Sequence, residues 1–546
     1  MKMKILAVLV AALAASPAWS QFQGFPQKSY WNQMWQSHQQ QVEIEPISQL
    51  QDFVEDGSLT LSLDRYIELV MANHGDINAS KLSVYSQENL VQAALSPFDP
   101  SFTASFSAQR STTPSSDQLD GAAISSSLSQ IGRATFSKTF DTGAELDVDY
   151  VTNRNSSNSQ FRSVNPALNQ SFGVRLSQPL LRGRGRKIQR IDFIVAETRL
   201  DQTEEQVRQQ IIGLISQAEN IYWNAVQQRE SLSVQRNNLQ LAQSFLERSR
   251  RELELGAISP LDIYQPEQQF ANAQVFVTQD RYALQRAEDA VRRWVGADLN
   301  PDFRDMPILL TESADPPENP PTFDEEETVA LAMRLRPELS QQRLQLDIDD
   351  LNIRQSTNRL RPDLSLNARY TSQGLGGNTL ILDDNNNPIG VIPSGLGDAW
   401  NQLFSFRFPV YSVGLTLELP LRNRRAAATL ANDTIAKKRD LYDLRSTEQD
   451  IRLDVVQAVA GIEQAKASVR QAVEARRFSQ LRLDAEQQKY DLGVSTAFLV
   501  LQAQDGLIQS ENSLLNQSIN YRRALTALYQ ATGDLLNQRN VQIQYN

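Results

Sequence analysis

The 546-residue chain contains no cysteine. That absence excludes a disulfide framework, a thiol nucleophile and a lipid-modified cysteine. Histidine is nearly missing as well. His38 and His74 are the only two, they lie far apart in no metal-like spacing, and each reads as a surface residue rather than a ligand. An excess of basic charge is also lacking: the net charge is −11 and the pI about 5.0, which argues against nucleic acid, whose phosphates need a basic surface. Neither Gly-x-Gly-x-x-Gly nor a Walker pattern occurs, and no nucleophile, base and orienting residue stand out together. No catalytic residue, cofactor or metal is therefore expected. Beyond residue 20 there is no run of 18 apolar residues, so no transmembrane helix is expected. If this chain crosses a membrane, it does so with strands.

The first twenty residues have the form of a secretory signal. Lys2 and Lys4 give a charged start, Ile5 to Ala15 an apolar run, and Ala18-Trp19-Ser20 a small-x-small cleavage site. The competing reading is an uncleaved anchor, for which the apolar run is short. Export from the cytoplasm is expected.

A repeat organises the rest. Leu255-Gly256-Ala257-Ile258-Ser259 answers Leu492-Gly493-Val494-Ser495-Thr496, 237 residues later, and each first glycine is followed by a second after forty residues (Gly296 and Gly533). Upstream, Gln178-Pro179-Leu180-Leu181 answers Leu419-Pro420-Leu421, and Asp99-Pro100 answers Arg361-Pro362. The unit is about 240 residues of helix, strands, very long helix, tight turn and long helix. A duplicated mixture of this length points away from an enzyme.

Short alternating segments mark the strands. Phe102, Ala104, Phe106 and Ala108 share one face; Leu146, Val148 and Tyr150 oppose Glu145, Asp147 and Asp149; Phe172, Val174 and Leu176 alternate with Gly173, Arg175 and Ser177. In the second half Leu364, Leu366, Ala368 and Tyr370 alternate, then Phe404, Phe406 and Phe408, then Val413, Leu415, Leu417 and Leu419. Period two with one apolar face suits a barrel in lipid, and a soluble antiparallel sandwich alternates identically. Polar segments at 111–129, 153–170 and 371–399, with turn chemistry from Asp383 to Pro388, read as loops. Four strands, or six if the hairpin at Asp141-Thr142-Gly143 joins the sheet, cannot close a membrane barrel alone, since about eight is the minimum. An open edge in lipid leaves backbone groups without partners, so the strands ask for an oligomer.

The helices are long. From about Gly183 to Leu253 there is no proline, and Ala218, Ala225, Leu232, Leu239, Leu246 and Leu253 recur every seven residues. About 70 residues at 1.5 Å each give a rod of about 100 Å. Residues 422–490 repeat the design with Val455, Val459, Ile462, Val469 and Val473, and returning helices are expected over 258–295 and 495–532. At the turns, glycine permits the positive φ of a helix C-cap, and Ser259 or Ser495 is expected to cap the next helix.

Signal, duplication, strands ending in Ser177-Gln178-Pro179-Leu180-Leu181 and Leu419-Pro420-Leu421, and rods ending in Gly-x-x-Ser/Thr turns together make the chain resemble the TolC-type outer-membrane efflux family over about residues 58–537. The resemblance implies an α+β fold: a duplicated strand-hairpin and long-helix unit, forming a homotrimer with a shared transmembrane β-barrel of twelve strands, four per protomer, and a periplasmic α-helical coiled-coil barrel. It implies residence in the outer membrane, against its lipids, with a large periplasmic part. It implies a passive exit duct for a tripartite efflux pump or a type I secretion system, with a periplasmic adaptor and an inner-membrane pump as partners. The tip turns that dock adaptors are then Gly256, Ala257, Ile258, Ser259 and Gly493, Val494, Ser495, Thr496. Tyr490, three residues before its glycine, stands where the family often links neighbouring helices to hold the tip shut.

Two departures stand beside the resemblance. Where the family often has aspartates past the second turn, this chain has Leu499 and Gln502, and only Asp262 at the first turn remains, either to serve in their place or to pair with an arginine. The first strand region is also longer, 79 residues from Pro100 to Pro179 against 58 from Pro362 to Pro420. The expected organisation is a signal (1–20), an unassigned extension (21–57), a first repeat (58–298; strands 99–181, helical hairpin 182–298), a linker wrapping outside the rods (299–321), a second repeat (322–537; strands 361–421, helical hairpin 422–535) and a tail (538–546). The basic run Arg182 to Lys187 reads either as contact with lipid headgroups or as a solvated helix start. The alternative function is a soluble periplasmic coiled-coil scaffold or adaptor, which usually has one helical hairpin rather than two.

Overall fold

The computed structural model describes residues 50–55, 57–114, 124–159, 162–315, 320–382 and 388–543. The expected signal, residues 21–49 of the extension, His38 and the turn at 383–387 lie outside the described residues. In chain order the strands are β1 (Val54–Glu55), β2 (Ser58–Leu61), β3 (Ser101–Pro114), β4 (Ile124–Thr139), β5 (Glu145–Ser157), β6 (Ala167–Pro179), β7 (Ile308–Leu310), β8 (Asp363–Gly376), β9 (Thr379–Leu382), β10 (Pro388–Ile392) and β11 (Phe408–Glu418). The longer helices are α1 (Leu63–Asn73), α2 (Gly75–Ala93), α3 (Ile191–Glu254), α4 (Tyr264–Val295), α5 (Glu325–Leu335), α6 (Pro337–Arg359), α7 (Leu396–Phe404), α8 (Arg424–Asp491) and α9 (Ala497–Thr532). Two compact units divide the chain: one holds Leu90–Ala196 and Asp349–Ile435, the other Glu45–Asn89, Glu197–Ile348 and Ala436–Asn546.

The first unit is built on one antiparallel sheet of order β11-β8-β6-β5-β4-β3. The four strands implied by the resemblance are corrected to six, because the long first region supplies a whole extra hairpin, β4–β5, paired in register on both sides. Strand alternation sorts the side chains into two faces. One apolar row runs Phe102, Phe136, Val148, Val174, Tyr370, Tyr411, with Leu366 and Leu415 paired on the same face. The other face carries the row Ser137, Asp147, Arg175, Arg369, Ser412. Nothing covers much of the apolar face: Phe102 is 70%, Val413 75% and Leu415 66% exposed.

The end of the sheet at Thr139 and Glu145 closes with a short turn, in which Phe140 and Gly143 N–H groups bond the Ala144 and Phe140 carbonyls. Asp141 in that turn receives Arg186 (2.8 Å) and Arg190 (3.3 Å), and Arg182 pairs with Asp363 at 2.6 Å. The basic run thus clamps acids at the strand ends. At the opposite end, Phe404 and Phe406 are not strand residues as expected. Phe404 closes α7, and Phe406 has φ 54°. α7 packs on the sheet: Ser372 Oγ donates to the Leu403 carbonyl (2.7 Å), Trp400 Nε1 to Tyr150 Oη (3.0 Å), and Leu375 N to Gln402 Oε1 (3.1 Å). Gly374 is required there, since a Cβ would strike the Ala399 carbonyl.

The second unit is helical, with a small sheet β1-β2-β7 in which β7 runs parallel to β2. β7 lies within the expected outer linker, and its Leu310 is buried beside Leu59, Leu61, Tyr222 and Val291, so that part of the segment belongs to the core. His74 is half-buried rather than a free surface residue, stacked 4.3 Å from Trp294. Heptad positions of α3 at Ala218, Ala225, Leu232 and Leu246 are buried, as are Val455, Val459, Ile462 and Val469 of α8. Glu219, fully buried, accepts bonds from Arg539 Nε (2.7 Å) and Nη2 (3.0 Å) and from Thr526 Oγ1 (2.5 Å).

Candidate functional site: the two hairpin turns

All four repeat glycines are left-handed: Gly256 (φ 69°), Gly296 (76°), Gly493 (74°) and Gly533 (74°). At the first tip Gly256 N bonds Leu253 O (3.0 Å) and Ala257 N bonds Glu252 O (2.8 Å). At the second, Gly493 N bonds Tyr490 O (2.9 Å) and Val494 N bonds Lys489 O (2.9 Å). These paired bonds satisfy the last carbonyls of α3 and α8.

Neither expected serine cap forms. Ser259 closes a local turn instead: its N–H donates to Asp262 Oδ2 (3.1 Å) and its Oγ accepts from Leu261 N (3.3 Å), while α4 begins only at Tyr264. Asp262 thus bonds the Ser259 backbone and forms no ion pair with an arginine among the described residues. Ser495 Oγ donates to the Glu486 carboxylate (3.0 Å), a charge-assisted bond that turns the side chain away from the helix start, and Thr496 takes the N-cap position without a side-chain bond. Ala257 and Thr496 are exposed, Ile258 and Ser495 half-buried, and Leu255, Leu261, Leu492 and Val494 project as apolar knobs, Leu255 at 84% exposure.

One turn behind the glycines the two hairpins meet. Tyr490 Oη donates to Glu252 Oε2 (2.6 Å). Arg248 donates through Nε to Glu252 Oε1 (2.9 Å) and through Nη1 to Asp491 Oδ1 (2.6 Å), with its guanidinium 4.9 Å over the Tyr490 ring. Phe245, Leu483, Val500, Leu501, Ala503 and Leu507 form the apolar floor. Burial, then the Glu252 bond, pushes the Tyr490 hydroxyl up to about 12. Burial opposes the Glu252 charge, but hydrogen bonds from Tyr490 and Arg248 outweigh it and hold the carboxyl below its usual value. Leu499 and Gln502 are exposed and their side chains make no hydrogen bond among the described residues, whereas Asp505, one turn further, accepts from Gln269 Nε2 (2.6 Å).

Arg248, Glu252, Asp491 and Asp505 were not singled out by the sequence. A signal for one of them, Glu252, exists. Aligning the turns sets Glu252 against Lys489 and Leu253 against Tyr490, so the halves differ in charge and polarity beside otherwise matching glycines. Such divergence within a repeat marks where the two copies contact each other rather than themselves.

A pH dependence follows. Because Glu252 titrates lower when folded, its contribution is fully present above the ordinary value of 4.5 and is lost as pH falls through the lowered one. The contact between the two hairpins is expected to weaken below that window, and Glu252→Gln to remove this acid dependence. Proteolysis of the tip between pH 7 and about 3 checks this, and an unchanged acid response in Glu252→Gln would contradict it.

The sequence profile described as outer membrane efflux protein matches residues 141–297 and 329–534. The outer membrane protein TolC of Vibrio cholerae is 22% identical over 373 residues, 67% of this chain and 77% of that one. The outer membrane efflux protein BepC of Brucella suis is 21% identical over 464 residues, 84% and 83% of the two chains. The crystal structure of the outer membrane protein VceC from Vibrio cholerae shares the fold at a TM-score of 0.59 and 14% identity, covering 86% of this chain and 96% of that one. Two thirds of the chain carries the family profile, in both halves of the repeat, and the soluble adaptor alternative loses its ground. The chain belongs to the outer membrane efflux protein family.

Proposed function

We propose that three copies form a passive exit duct of the outer membrane, serving either a tripartite efflux pump or a type I secretion system. The six-stranded sheet, with an apolar face uncovered except at the end where α7 packs, one polar face and two edges unpaired among the described residues, carries this reading: the apolar face meets lipid, the polar face a water-filled lumen, and the edges other copies. The helical hairpins, each long helix about 100 Å at 1.5 Å per residue, supply the periplasmic conduit. The knobs at Leu255, Leu261, Leu492 and Val494 around the two glycine turns are the docking surface for a periplasmic adaptor, which links to an inner-membrane pump.

The Tyr490–Glu252–Arg248–Asp491 network is the latch. It ties one hairpin to the other, and a docked adaptor opens the tip by favouring the arrangement without those bonds. The duct performs no bond chemistry. Asp262 and Asp505, rather than Leu499 and Gln502, supply acids near the tip. Purified protein added to a planar lipid bilayer tests the reading. Discrete conductance steps with long closed periods are expected, and a bilayer that stays silent at saturating protein overturns it.

A further inference from the structure

Resting on the exit-duct reading, we propose that the shared barrel has eighteen strands, six from each copy, and a mouth half as wide again as twelve strands allow. The extra hairpin is part of the wall. Its strands pair without a break from Ser101↔Ser137 to Pro114↔Ile124 on one side and from Glu145↔Ser177 to Asn155↔Ala167 on the other. Both faces also continue through it, since Phe136 and Val148 lie in the apolar row and Ser137 and Asp147 in the polar one. A hairpin folded over the lumen or lying on the outside would break at least one of those rows.

The sheet is already sheared for closure. The pairing row that begins at Ser101 reaches β11 at Ser412, six residues short of that strand's end at Glu418. Six residues of about 3.3 Å over five spacings of about 4.8 Å correspond to a tilt of about 40°, inside the range of membrane barrels. Including all six strands therefore produces the slant that closure needs.

The edges are competent to pair. β3 and β11 hold 14 and 11 residues, and their prolines, Pro114 and Pro409, lie only at the end with the long loops. Arg110 and Glu418 are the only charged residues on the two strands, so neither edge carries the charges that soluble proteins use to block pairing. In lipid both edges must be covered, and the partner that fits is β11 of one copy against β3 of the next. Eighteen strands at this spacing and tilt enclose about 36 Å between backbones, against about 24 Å for twelve. The polar wall, with Arg133, Asp147, Asp149, Arg175 and Arg369, then lines a mouth broad enough for bulky hydrated cargo.

Cryo-electron microscopy of the detergent-extracted full chain tests this. The expected result is a ring of eighteen strands in a trimer. A trimer with twelve wall strands, and the 124–157 hairpin outside the ring, overturns the inference and leaves the duct standing, whereas a particle with no closed ring overturns both. Because the chain has no cysteine, a second test is clean. Ser105→Cys combined in turn with Ser412→Cys, Gly414→Cys or Thr416→Cys is expected to give disulfide-linked dimers and trimers in membranes for at least one pair. Monomer alone for all three pairs counts against β3–β11 closure.

Discussion

Changing Arg248→Ser and Tyr490→Phe together is expected to raise the open time of the channel at least tenfold. The two changes remove the Tyr490–Glu252 bond, both Arg248 bonds and the cation over the ring. Charge-assisted hydrogen bonds contribute about 1.5–3 kcal/mol when shielded, and exposures of 23 to 50% at Glu252, Arg248 and Asp491 reduce that to about 1 kcal/mol apiece. The two bonds that cross between the hairpins, Tyr490–Glu252 and Arg248–Asp491, then amount to about 2 kcal/mol per copy, which exceeds the 1.4 kcal/mol or so that corresponds to a factor of ten. The apolar floor of Phe245, Val500 and Leu501 remains, so the tip keeps its fold. As a control, Arg250→Ser removes an ion pair with Glu267 that is largely solvated, and is expected to leave the recordings unchanged. Equal open times in the double variant and the parent would discard the latch.

The largest effect on stability is expected at Arg539. Its guanidinium makes two of the three bonds received by Glu219, a carboxylate with no solvent exposure, and Thr526 makes the third. Arg539→Ala strands that charge in the interior, which costs about 3–5 kcal/mol. Thermal unfolding followed by helical circular dichroism is expected to shift down by many degrees. Adding Glu219→Gln to Arg539→Ala is expected to recover much of the loss, since the group left behind is then neutral. If the double variant is as unstable as the single one, packing around Arg539 rather than charge is responsible.

What could be read in the amino acids follows from periodicity. The glycines at 256, 296, 493 and 533 recur at fixed spacing because each ends a helix with positive φ, and backbone demands of that kind leave a residue-level mark. Alternation exposed the strands for a similar reason. Its limit shows at Phe404, Phe406 and Phe408, where spacing by two mimics a strand although the first closes α7. The third does begin β11. Nothing local could reveal that Ser372 and Gly374 make room for that helix.

The number of strands was half legible. The surplus length between Pro100 and Pro179 announced an extra hairpin, but sheet membership depends on pairing partners, which length does not encode. The latch was less legible still. Tyr490 attracted notice through its distance from Gly493, while its acceptor Glu252 stands 238 residues away and looks like any exposed glutamate of a coiled coil. Ser259 and Ser495 failed as caps for a related reason, because the Ser259 Oγ takes the Leu261 N–H within its own turn and the Ser495 Oγ turns toward Glu486.

The mass and location of the assembled protein bear most directly on the shared duct. Extracted in mild detergent from separated inner and outer membranes, it is expected as a particle of three chains, found only in the outer-membrane fraction. A single chain in the soluble periplasmic fraction would contradict the shared barrel, the lumen and the latch together.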